Sequence, residues 1–222
     1  MSQPFPSDLA QRISTTGVIA VLMIDDANDA VPVAQALLEG GVDCMELTLR
    51  TPAAMDALRN ISAEVPAMTA GVGTILTPAQ AREVKIAGAS FGVSPGINPR
   101  VVSEAVSLGL PFAPGVCTPS DIEVALEHGC TLLKFFPCEP SGGLAYLKSI
   151  AAPYAHLGVK FVPLGGIDAS NAARYIREPL VHAIGGSWLA PRDVIARKDW
   201  STITANAREA VQIIAEPRGG QS

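Results

Sequence analysis

The chain has 222 residues, of which 48% are hydrophobic and 17% charged, so it has ample material for a core and does not read as a disordered polymer. A formal net charge of −5 without any cluster of Lys and Arg excludes a basic face for nucleic acid. Met1 to Leu9 is polar and proline-broken, unlike a signal peptide, and no later run is apolar for long enough to cross a bilayer, so a cytoplasmic protein is expected.

In chain order, a helical segment within residues 1–16 (roughly Asp8–Ser14) precedes an alternation of short apolar runs and helix-like stretches. The runs are Val18–Met23, Cys44–Leu49, Ala67–Val72, Ser90–Val93, Pro111–Ala113, Thr131–Phe136, Val159–Pro163 and Val181–Ile184. Between them lie Ala30–Glu39, Ala53–Ile61, Pro78–Ala87, Pro99–Leu108, Ser120–Glu127, Leu144–Ile150 and Ser170–Ile176, and Trp200–Ile214 comes last. Asp29, Thr77, Asn98, Thr118 and Asp168 are placed to cap helix starts. Gly40-Gly41, Gly88, Gly109 and Gly129 follow helical stretches, where a left-handed residue ends a helix without steric cost. Strands alternating with helices imply parallel crossovers, and eight repeats in so short a chain predict a (β/α)8 TIM barrel with an extra N-terminal helix. An open doubly wound sheet is the structural alternative. Residues 1–222 read as one domain, with a flexible tail at 217–222.

Cys44, Cys117, Cys130 and Cys138 form no C-x-x-C pair, and His128, His156 and His182 are scattered, so no metal site is expected. Chemistry should sit at the carboxyl ends of the strands. Lys134, within Thr131-Leu132-Leu133-Lys134-Phe135-Phe136-Pro137, is hemmed in by apolar residues. Poor hydration favours the neutral amine, which can attack a carbonyl carbon and form a Schiff base. A lysine whose stem snorkels from a strand end is the plainer alternative. Strand alternation aims Glu46, Thr48 and Arg50 one way and Met45, Leu47 and Leu49 the other. Glu46 could then move protons and Arg50 hold a carboxylate, unless the two form a buried ion pair. Gly71-Val72-Gly73-Thr74 could bring backbone N–H groups to a ligand or simply turn the chain. Gly165-Gly166 and Gly185-Gly186-Ser187 follow the last two runs, where barrels bind phosphate, although plain turns would look alike.

Glu46-Leu47-Thr48-Leu49-Arg50-Thr51, Gly71-Val72-Gly73-Thr74, Ser94-Pro95-Gly96, Lys134-Phe135-Phe136-Pro137 and Gly185-Gly186-Ser187-Trp188-Leu189 resemble the 2-keto-3-deoxy-6-phosphogluconate (KDPG) aldolases, some of which also cleave 4-hydroxy-2-oxoglutarate (KHG). The resemblance runs in order over nearly the whole chain. It implies a homotrimer of metal-free barrels with no cofactor, acting on a phosphorylated 2-keto-3-deoxy sugar acid and yielding pyruvate. By position, Lys134 resembles the Schiff-base lysine and Glu46 the general acid/base. Arg50 and Thr74 resemble the pyruvate-carboxylate binders, Pro95 and Phe136 the walls around the keto acid, and Gly165, Gly166 and Ser187 the phosphate contacts. Two positions depart from the family pattern. Leu164 stands where a threonine reads the substrate C4 hydroxyl, and relatives acting on the galactonate epimer carry an apolar residue there. Ala20 replaces a frequent proline. A non-catalytic barrel that binds a phosphorylated sugar acid is the alternative of a different class, and a metal-dependent aldolase is the rival among enzymes.

Overall fold

The computed structural model describes residues 5–215, and the tail expected at 217–222 lies outside them. The elements run α1 (Ser7–Thr16), β1 (Val18–Leu22), α2 (Ala30–Glu39), β2 (Cys44–Thr48), α3 (Ala54–Glu64), β3 (Thr69–Gly73), α4 (Pro78–Ile86) and β4 (Phe91–Val93). They continue through α5 (Pro99–Ser107), β5 (Phe112–Ala113), β6 (Gly115–Val116), α6 (Pro119–Glu127), β7 (Leu132–Phe135), α7 (Gly143–Ala151) and β8 (Lys160–Pro163). The last are α8 (Ala172–Ile176), β9 (Ile184–Gly186), α9 (Arg192–Ala196) and α10 (Trp200–Ala215).

All strand pairings are parallel. One sheet has the order β5-β4-β3-β2-β1-β9 and the other β6-β7-β8. The order follows the chain without the reversal that a doubly wound sheet requires. Isolated parallel bridges, Phe161 to Val181 and Leu164 to Gly185, link β8 to the last strand region. The single expected run at Pro111–Ala113 continues past Pro114 as β6. Proline has no N–H for the ladder, so it divides β5 from β6, yet its carbonyl still accepts from the Lys134 N–H at 3.0 Å.

Helix starts are set by local chemistry. Thr77 and Gln80 form a capping box on α4, and Thr118 and Asp121 form one on α6, each with proline at the first helical position. Asn98 caps α5 by accepting from the Arg100 N–H. The expected cap at Asp29 is corrected: Asp29 is already helical and makes no side-chain cap, whereas Asp26 accepts from the Asn28 N–H and opens a short 3-10 turn. Gly41, Gly88, Gly109 and Gly129 take positive φ after their helices, as their positions predict.

Strand side chains divide between two faces. Met45 and Leu47 of β2, Ala70 and Val72 of β3, and Leu133 and Phe135 of β7 pack toward the helices. Ile19, Cys44, Phe91, Val93, Ala113, Leu132, Val162 and Ala183 pack instead with one another and with Phe5 and Ile13 from the N-terminal segment. Helix α1 is tied there by His182, whose Nε2 lies 2.8 Å from the Ala10 carbonyl oxygen. Among the described residues no helix is long and apolar enough to cross a membrane.

Candidate active site

A cavity of about 390 Å³ opens at the carboxyl ends of the strands, a volume within the usual range for a small-ligand site. Glu46, Arg50, Thr74, Pro95, Lys134, Phe136, Leu164, Gly165, Gly166 and Ser187 all line it, so the lysine, the carboxylate and the substrate contacts implied by resemblance meet there, whereas Gly71 and Gly73 do not.

Its floor is an ion pair. Lys134 Nζ lies 2.8 Å from one carboxylate oxygen of Glu46 and 3.1 Å from the other, 88 residues away in sequence. Both residues are buried, Lys134 at 6% exposure and Glu46 at 2%. Lys134 does not snorkel to the surface, and Glu46 does not pair with Arg50. Arg50 lies two residues past β2, is exposed at the cavity, and meets no carboxylate among the described residues. The Phe136 ring lies 5.5 Å from Nζ and offers its face to the cation. Beneath the pair, Phe5, Ile13, Ile19, Phe91, Val93, Ala113, Leu132 and Val162 enclose a space of about 20 Å³, an apolar plug under a polar layer.

The glycines of Gly71-Val72-Gly73-Thr74 make room for neighbouring side chains. A Cβ on Gly73 would sit 1.9 Å from Glu46 Oε1, and one on Gly71 would sit 2.1 Å from the Phe91 ring. The carboxylate therefore occupies the space that a side chain at residue 73 would need. Thr74 holds φ at 63°, a conformation costly for a β-branched residue, while lining the cavity. Thr48 shares the inward face, but its hydroxyl donates to the Leu22 carbonyl at 2.9 Å and ties β2 to β1.

Gly165 and Gly166 take φ of 96° and 83° in succession. Their N–H groups and that of Ser187 reach no acceptor among the described residues, which leaves three donors at the cavity rim. The opposite side of the first loop is fixed: the Leu164 and Gly165 carbonyls accept from the N–H groups of Cys138 at 2.7 Å and Glu139 at 2.9 Å. Glu139 in turn accepts from Tyr175 and pairs with Arg174. The Tyr175 hydroxyl, followed by the Arg174 guanidinium, holds the Glu139 carboxyl below the usual carboxylate range. Cys138 packs in this network, and burial pushes its thiol up to about 11, so it is no nucleophile near neutral pH.

Gly185 and Gly186 were expected after the last strand but form part of it, since β9 is Ile184–Gly186. Leu164 lies against Gly185 and Trp188 against Gly186, each in the space of a missing side chain. Two features went unread in the sequence: the helix α9 and, at its start, Arg192, which lines the cavity. A cation opening a helix just after G-G-S-W-L was the available signal. Among the described residues no three His, Cys, Asp or Glu side chains converge as metal ligands would.

A buried amine facing a carboxylate, above an apolar plug and below a rim of free N–H donors, defines a protein equipped for carbonyl chemistry on a small anionic ligand. The family model described as "Aldolase: KDPG and KHG aldolase" matches residues 9–206, and the chain belongs to that family. It is 45% identical over 204 residues to the 2-dehydro-3-deoxy-phosphogluconate aldolase of Treponema pallidum, covering 92% of this chain and 96% of the relative. A KDPG aldolase structure from Legionella pneumophila, with pyruvate captured at low pH as a covalent carbinolamine intermediate, superposes with a TM-score of 0.87 at 36% identity, covering 94% of this chain and 98% of that one. The aldolase of Zymomonas mobilis ZM4 with 3-phosphoglycerate gives a TM-score of 0.86 at 37% identity, covering 92% and 95%.

Proposed function

We propose that this protein is a lysine-dependent aldolase that cleaves 2-keto-3-deoxy-6-phosphogluconate into pyruvate and glyceraldehyde 3-phosphate, without a metal or cofactor. The observation that carries the proposal is the buried contact of Lys134 with both oxygens of Glu46 on the cavity floor. Family membership and the pyruvate carbinolamine of the Legionella relative support it.

In this reading Glu46 takes the proton that Lys134 must lose, and the neutral amine attacks C2 of the ketone. The carbinolamine expels water as Glu46 returns a proton to the departing hydroxyl, leaving an iminium. Glu46 then removes the proton of the C4 hydroxyl, directly or through water. As the C4 carbonyl forms, the C3–C4 bond breaks and its electron pair is held as an enamine. Glyceraldehyde 3-phosphate departs, C3 takes a proton, and water hydrolyses the iminium to release pyruvate and free Lys134. Arg50 and Thr74 hold the substrate carboxylate, Pro95 and Phe136 wall the keto-acid end, and Gly165, Gly166 and Ser187 receive the phosphate through N–H donors.

The two parallel sheets are two arcs of one (β/α)8 barrel, a reading supported by the β8 bridges to Val181 and Gly185 and by the strand residues that pack inward together. Helix α1 closes its amino-terminal end, residues 1–222 form one domain, and the assembly is a cytoplasmic homotrimer by family likeness. A barrel that only binds a sugar acid would not need a buried lysine held against a carboxylate.

Leu164 favours a second reading of specificity. Its side chain lines the cavity, is buried against Gly185 and offers no hydrogen bond to a C4 hydroxyl. Side-by-side pyruvate release from the gluconate compound and its C4 epimer tests this. Comparable rates, or preference for the epimer, assign the looser or redirected C4 recognition to Leu164. A clear gluconate preference means that another group reads C4. Silence with both compounds redirects the search to KHG, and silence there removes the aldolase proposal. Full turnover after exhaustive chelation is expected, and loss of turnover would favour a metal-dependent aldolase.

A further inference from the structure

The cavity rim carries a second guanidinium that lies outside the motifs shared with the family. Arg192 opens α9 and lines the cavity together with Gly165, Gly166 and Ser187. Its Nε and Nη2 each lie 2.7 Å from an oxygen of Asp25, forming a side-on fork across the gap between the segments that follow β1 and β9. Nη1 has no partner among the described residues. Both side chains are about half exposed, at 56% and 49%, so the pair adds little to stability. Its consequence is orientation: Asp25 fixes the plane of the guanidinium without occupying all of it.

Arg50 lines the same cavity from beyond the end of β2. In the sheet, β1 lies between β2 and β9. The two cations therefore follow strands about 10 Å apart, two strand spacings. Lys134 and Glu46 lie on the cavity floor. A short carbon chain with an anion at each end and a carbonyl near one of them fits that arrangement.

We propose that Arg192 is a specificity-determining residue that reads the phosphate end of the substrate. Its Nη1 donates a charge-assisted hydrogen bond to a phosphate oxygen beside the N–H groups of Gly165, Gly166 and Ser187, where those loops supply only neutral donors. The inference deepens the aldolase reading and rests on it for the orientation of the substrate. It makes the protein favour phosphorylated 2-keto acids over unphosphorylated ones of the same carbon chain.

The test is equilibrium binding of 3-phosphoglycerate and of pyruvate to the full-length protein and its Arg192→Ala and Arg192→Lys variants, at two salt concentrations. Arg192→Ala is expected to weaken 3-phosphoglycerate binding by about tenfold to a hundredfold, the range for a lost charge-assisted hydrogen bond, and to reduce its salt dependence. Arg192→Lys, which keeps the charge but loses the fork, should fall between. Pyruvate affinity should change by less than about twofold, because pyruvate has no group at that pole. Unchanged 3-phosphoglycerate affinity, or equal weakening for both ligands, would overturn the assignment. Borohydride capture of pyruvate by the wild-type protein is scored separately. A missing adduct with intact Arg192-dependent phosphate binding would refute the lysine chemistry and leave the phosphate-reading role standing.

Discussion

The inward faces of the same strands have two different characters. On β2, Cys44 is followed two residues later by Glu46, and on β7 Leu132 is followed by Lys134. One inward position separates an apolar layer, packed with Phe5 and Ile13, from a layer that carries an ion pair and opens to a cavity. The lower layer places the upper one. A charged pair this buried is costly to desolvate, and it stays in one geometry only if its supports cannot move. Here the supports are a close-packed plug below and a glycine beside the carboxylate. Stability and chemistry are thereby separated along each strand, and that separation can be broken experimentally.

The largest effect belongs to the upper layer. Glu46→Gln keeps the shape but cannot accept a proton from Lys134 or from a C4 hydroxyl, so kcat should fall by about 10²- to 10⁴-fold. Steady-state kinetics checks this, and near-normal kcat would remove Glu46 from proton transfer. Next comes Gly73→Ala, whose Cβ would meet the Glu46 carboxylate at 1.9 Å. Displacing that group by about 1 Å should cost on the order of 10²-fold in kcat while the circular dichroism spectrum remains that of the native fold. The lower layer should answer in a different quantity. Ile13→Ala removes a side chain at 1% exposure and should cost about 2–5 kcal/mol of stability in denaturant titration, with kcat changed by less than about threefold. A kcat loss as large as that of Glu46→Gln would show that the layers are not separable.

How far these layers could be read beforehand varied with the kind of signal. Helix α2 was legible residue for residue, because Val33, Ala34 and Leu37 recur at helical spacing. The alternation in β2 correctly put Glu46 and Arg50 on the cavity side, although the partner of Glu46 proved to be Lys134, a contact across 88 residues that no local pattern encodes. The last strand was misplaced because Gly185 and Gly186 look like punctuation. Their true reason is three-dimensional, since Leu164 and Trp188 fill the space of their missing side chains. Asp29 looked like a cap, but Asp26 and its 3-10 turn had already started the helix. Arg192 is hard to read from sequence, because a single cation beyond a known motif looks like a solvated surface residue.

The smallest expected effect sharpens the comparison at the glycine loop. Glu139, whose backbone N–H holds the Gly165 carbonyl, has its carboxyl held below its ordinary value, first by the Tyr175 hydroxyl. A lowered carboxyl adds stability above the ordinary carboxylate range, and that contribution is lost as pH falls through the lowered value. The Tm difference between the native protein and Glu139→Gln should therefore shrink on acidification below the ordinary range. A difference that stays constant with pH would mean that the carboxylate charge contributes nothing.

Most direct is reduction of the protein with borohydride in the presence of pyruvate, followed by mass mapping of the modified lysine. Reduction should leave one covalent three-carbon adduct, carried by Lys134 and absent from Lys134→Met. An unmodified Lys134, under conditions that label a known lysine-dependent aldolase, would contradict the chemistry assigned to the upper layer.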